Sequence, residues 1–103
     1  MKKLITVNRF KGYIGSKPEM YSTETLAEIN GPFGIWKNPN SDKQPWEIIH
    51  IGIGLGVTGG HKYLNVARRI ARALAAQPGW DFMTQEEFHP RCDTLRKQVA
   101  AAR

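Results

Sequence analysis

Between Trp46 and Val57 the chain alternates with a period of two. Ile49, Ile51, Ile53, Leu55 and Val57 are apolar, and His50, Gly52, Gly54 and Gly56 stand between them. In extended backbone this spacing puts one set on each face of a strand. One face is then a branched-aliphatic wall. The other is nearly bare backbone, open to close approach by a helix, a partner strand or a ligand phosphate. Two conformations satisfy the pattern. In one, Trp46–Ile51 and Leu55–Val57 are the arms of a hairpin turning at Gly52-Ile53-Gly54; in the other, a single long strand runs beneath a closely packed helix. Both use glycine for positive φ or close approach. The length of the segment favours the hairpin, because strands average about 5–6 residues.

Upstream, residues 3–14 (KLITVNRFKGYI) are rich in β-formers, with Gly12 as a bend or bulge, and Gly15-Ser16-Lys17-Pro18 reads as a turn. Residues 20–29 (MYSTETLAEI) fit either a short helix capped by Thr23 or an alternating strand. The strand is preferred, since Asn30-Gly31 then supplies a hairpin turn into Phe33-Gly34-Ile35-Trp36. Asn38–Pro45 is polar and reads as an exposed loop.

Downstream the period changes to that of a helix. Tyr63, Val66, Ala67, Ile70, Ala71 and Leu74 form one apolar stripe, with Asn65, Arg68, Arg69, Arg72 and Ala76 on or beside the opposite face. Gln77-Pro78-Gly79 ends it. Thr84 and Glu87 have capping-box spacing, and Met83 with Phe88 has that of a hydrophobic staple. Pro90 predicts a kink or restart, after which Phe88, Cys92, Leu95 and Val99 continue a stripe. A β-rich half followed by an α-rich half predicts an α+β fold. The expectation is an antiparallel meander of about four or five strands, with two C-terminal helices packed on one face. A chain of 103 residues predicts a single domain, 1–103.

Charge sharpens this picture. The chain carries 15 Lys+Arg against 9 Asp+Glu, a formal net charge of +6. No acidic residue occurs between Ile48 and Trp80, where Lys62, Arg68, Arg69 and Arg72 all lie. Such segregation favours a basic working surface. The first residues are too sparsely apolar for a signal peptide, no run is long enough for a membrane span, and the single Cys92 permits no internal disulfide. A cytoplasmic location is expected.

Candidate chemistry is sparse. Gly54-x-Gly56-x-x-Gly59 matches a dinucleotide fingerprint, with Asp81 at the distance of a ribose-binding acid. The chain is too short for that fold, however, and the preceding half reads as meander; no cofactor is expected. The nucleotide-triphosphate loop fails, since Gly60-His61 stands where Lys and Ser/Thr belong. His50, His61, His89 and Cys92 lack the paired spacing of a metal site, and no metal is expected. Cys92 falls on an apolar stripe and reads as buried and inert rather than as a nucleophile. Glu86-Glu87 is explained by helix capping. With no catalytic set, the reading is a non-enzymatic binding protein. Lys62, Arg68, Arg69 and Arg72 would contact DNA or RNA phosphates, with Trp36 and Tyr63, and beyond them Trp46 and Trp80, as candidates for stacking. The alternative is a protein-interaction module, a small regulator or inhibitor, using the same face against an acidic protein.

Overall fold

The computed structural model describes all 103 residues. Five strands, β1 (Lys2–Ile14), β2 (Lys17–Asn30), β3 (Phe33–Lys37), β4 (Trp46–His50) and β5 (Leu55–Gly56), form one antiparallel sheet in sequence order. Three helical segments follow: α1 (Leu64–Ala75), α2 (Gln85–Phe88) and, after a 3-10 turn at His89–Arg91, α3 (Cys92–Ala102). This is the expected α+β meander. Pro90 lies inside the 3-10 turn, so the restart predicted there occurs. Residues 20–29 are strand, and the bulge lies between Phe10 and Gly12.

The glycine-rich segment is a hairpin. Residues 51–54 turn, the Gly54 amide donates to the His50 carbonyl at 2.8 Å, and Ile49 pairs with Gly56. The turn breaks the aliphatic wall that strict alternation predicts. Ile48 and His50 face the helices, Ile49 faces the opposite side, and beyond the turn Ile53 and Val57 return to the helix side. Strand β4 is thus buried on both faces. On one side Phe33, Ile35 and Ile48 pack beneath Ala67, Ile70, Ala71 and Leu74 of α1, with Trp80, Phe82 and Leu95 closing the layer. On the other, Ile5, Val7, Ala27, Trp36 and Ile49 form a second, smaller core.

This second core exists because the sheet curls. The Asn8 amide of β1 donates to the Gly54 carbonyl at 2.7 Å, and its side chain donates to the Ile53 carbonyl at 2.9 Å. The first strand therefore closes onto the last turn. The bare positions are what permit the approach. Gly54 has φ +69°, and a methyl there would fall 2.6 Å from the side-chain Nδ2 of Asn8. At Gly52 the visitor is backbone, since a Cβ would sit 2.5 Å from the Phe82 carbonyl oxygen. Gly52→Ala is accordingly expected to destabilise the protein by about 1–3 kcal/mol, read as a lower urea midpoint. An unchanged midpoint would show that the Trp80–Phe82 segment is not held against the turn.

Two details depart from the sequence reading. Tyr63 precedes α1 instead of joining its buried stripe and is 57% exposed. The capping box forms, with the Glu87 amide donating to the Thr84 hydroxyl at 3.2 Å, but Met83 is exposed. Phe88 packs on Phe82 instead, with ring centroids 5.3 Å apart. No helix is long and apolar enough to cross a membrane.

Candidate functional site

The basic residues around α1 fall into two groups. Ala67, Ile70, Ala71 and Leu74 face the core, so Arg69 and Arg72, three apart, share the outer face, and Arg68 leans toward β2. There Arg68 meets Glu28 in a bidentate pair, Nε to Oε2 at 2.8 Å and Nη2 to Oε1 at 2.7 Å. This hydrogen bond holds the Glu28 carboxyl below its usual pKa, and the partner charge adds to the effect. Arg68 therefore ties α1 to the sheet, and its charge is neutralised locally.

The remaining cations are freer. Arg69 makes one long contact, Nη1 to the Ala102 carbonyl at 3.3 Å, leaving other N–H groups to solvent. Arg72 and Lys62 make no ion pair; the Lys62 ammonium lies 5.4 Å from the Tyr63 ring centroid. The C-terminal turn of α3 adds Arg103 at the same end. The charges of Arg103 and Arg69 both help to push the His61 pKa down, after the larger effect of burial. The result is a strip of Lys62, Arg69, Arg72 and Arg103, with Tyr63 as an exposed ring at one end.

Two aromatic candidates are withdrawn from the surface. Trp36 is 8% exposed, packs in the smaller core and donates its indole N–H to Glu47 at 3.1 Å. Trp80 is buried and donates to Gln98. Trp46 is half-buried beside Lys37. Of the two leading stacking candidates, only Tyr63 presents a ring to solvent.

The other motifs are dispersed. His50 is buried, stacked on Phe82 at 4.1 Å, with Nε2 2.8 Å from the Trp80 carbonyl. Thr58 donates its hydroxyl proton to the Gly59 carbonyl, so its oxygen accepts from Nε2–H of His61 at 2.7 Å. Asp81 pairs with Arg91. No three His, Cys, Asp or Glu side chains converge. In the Gly54–Gly59 segment, the first glycine is covered by β1, and the last lies in open, irregular backbone ahead of the uncapped start of α1. Cys92 is half-buried, not fully enclosed, and lines an apolar concavity of about 240 Å³ with Ile53, Val57, Phe82, Phe88 and Leu95. Sequence reasoning missed Arg103 and the Glu28 partner of Arg68. The apolar stripe of α3, continued to its end, was the one local sign that its last turn returns to α1. Compared with family models, with curated proteins and with solved structures, the chain matches none.

Proposed function

We propose that the protein binds nucleic acid without catalysis, gripping backbone phosphates with Lys62, Arg69 and Arg72, joined by Arg103. The observation that carries this reading is the outer face of α1: cations without carboxylate partners, on a stretch of chain with no acidic residue from Ile48 to Trp80. Guanidinium groups three residues apart on a helix suit a phosphate backbone, whose contacts position the protein and carry little sequence information. Tyr63 offers one ring for stacking on an unpaired base. Arg68, held by Glu28, acts as a positioning residue in this scheme.

The test is a titration of short DNA and RNA across ionic strength. Affinity should fall linearly in log–log form. Arg69→Ala with Arg72→Ala should reduce the slope by about two units, one for each lost phosphate contact. Arg68→Ala should change it less than either. Freeing that arginine by Glu28→Gln should tighten binding. Absence of any binding at low salt would overturn the reading. A nuclease-insensitive complex with an acidic protein, abolished by the same Arg69 and Arg72 changes, would favour the protein-interaction alternative.

A further inference from the structure

The β1–β2 ribbon outgrows its sheet. Strand β2 pairs with β3 only from Glu28 to Asn30, so its outer edge is unpaired from Lys17 to Ala27. The direction of its free amides can be read from the ladder. The Ile29 amide points at β1, donating to the Met1 carbonyl at 3.0 Å. By alternation the amides of Ala27, Thr25, Thr23 and Tyr21 also point at β1, and those of Leu26, Glu24, Ser22 and Met20 point outward.

The two edges of the ribbon are guarded unequally. Strand β1 carries a bulge between Phe10 and Gly12, three lysines (Lys2, Lys3, Lys11) and the tie from Asn8 to Gly54. Such features keep edges from pairing. The β2 edge from Met20 to Leu26, MYSTETL, has no lysine, proline, glycine or bulge. It also adjoins an apolar face. The pairs Leu4–Leu26 and Phe10–Met20, with Tyr13 opposite Pro18, put Leu4, Phe10, Tyr13, Met20 and Leu26 on one side, 47–69% exposed. From Leu4 to Tyr13 on β1 and from Pro18 to Leu26 on β2 that side carries Glu24 but no cation; Lys2, opposite Glu28, stands beyond it at the end of the ribbon. A polyanion has nothing to grip there, whereas an apolar, weakly charged surface like itself fits.

We propose that two copies of the chain pair through β2, antiparallel, about a two-fold axis at Thr23. Of the registers that match outward amides with outward carbonyls, the three centred on the free stretch have their axes at Ser22, Thr23 and Glu24. An axis at Glu24 sets two carboxylates opposite each other, and an axis at Ser22 sets Met20 opposite Glu24. The axis at Thr23 sets Leu26 opposite Met20 of the second copy and Glu24 opposite Ser22, so apolar meets apolar and like charges are separated. The same pairing satisfies the free edge and covers part of the apolar face.

Light scattering on the whole chain, without nucleic acid, should give twice the monomer mass of 11.6 kDa. Glu24→Pro, which removes an outward amide and no β1–β2 bond, should halve that mass, as should Leu26→Lys. Adding Met20→Glu to Leu26→Lys should restore the dimer by placing opposite charges across the axis; failure to do so overturns the Thr23 register. Hydrogen exchange on the unaltered chain gives a reading that no folding defect can obscure. The amides of Met20, Ser22, Glu24 and Leu26 should slow as concentration rises, and those of Tyr21, Thr23 and Thr25 should not. A chain that stays monomeric with its four outward amides exchanging freely overturns the proposal, as does a dimer that survives both single substitutions.

Discussion

Replacing Phe33 with alanine should lower the free energy of unfolding by about 3–5 kcal/mol, out of the about 5–15 kcal/mol that holds a typical domain. Phe33 is fully buried at the start of β3, opposite Asn30 on β2 and His50 on β4. Its ring meets Trp80 edge-on at 5.0 Å and His50 at 6.0 Å. The cavity left by truncation cannot readily collapse, because β3 is held between two hydrogen-bonded neighbours and the Trp80–Phe82 segment is braced by the turn at Gly52. Phe33→Leu retains much of the volume and should cost clearly less. Urea unfolding of both variants measures the difference. A loss below about 1 kcal/mol for alanine, the average for any point substitution, would show that this layer is not the principal core. The contrasting control is Leu4→Ala, on the exposed face of β1, which should leave the monomer's stability nearly unchanged.

What the sequence made legible was local. The stripe through Ala67, Ile70, Ala71 and Leu74 placed the helix and its buried face correctly, because helical periodicity depends only on near neighbours. The Gly52–Gly54 turn and the break at Pro90 followed from backbone conformational limits in the same way, as did the hairpin turn into β3, which falls at Gly31-Pro32, one residue beyond the Asn30-Gly31 expected. Burial on both faces of β4 was not legible. It arises from the curl that brings Asn8 to Gly54, forty-six residues later in the chain. Trp36 illustrates the consequence: its exposure was set by Ile5, Val7 and Ala27 closing over it, contacts that no spacing rule encodes. Arg68 shows the same for charge. Its helical position resembles that of Arg69 and Arg72, yet Glu28 on a distant strand neutralises it. The basic strip was thus readable as a helix face, while which cations stay free depended on tertiary geometry.

Acidification below pH about 6.5 should weaken the fold well before the carboxylates titrate. His50 and His61 are both buried, and burial is the main cause that holds each below the usual histidine value of 6.5. For His50 the Trp80 carbonyl acts in the opposite direction; for His61 the Arg103 and Arg69 charges act in the same direction as burial. The unfolded chain therefore binds protons near pH 6.5 that the folded chain refuses. Stability is complete above that pH and falls as pH drops below it, until the folded imidazoles themselves take protons. Each histidine can contribute a slope of up to about 1.4 kcal/mol per pH unit, so two together approach about 2.7. Glu28 and Asp81, whose pKa values are lowered by Arg68 and Arg91, add their losses only below their ordinary values of 4.5 and 3.8. Urea midpoints taken between about pH 7.5 and pH 5 separate these regimes. His61→Gln retains an N–H donor for Thr58 and removes one proton, so it should reduce the slope even if it lowers stability at neutral pH. A profile flat down to pH 5 would mean that neither imidazole is held neutral by its surroundings. If His61 alone carries the slope, the stacked site against Phe82 admits a charged ring. The packing of His50 between Phe33, Trp80 and Phe82 argues against that outcome, because three apolar neighbours leave a charged ring only one carbonyl to meet.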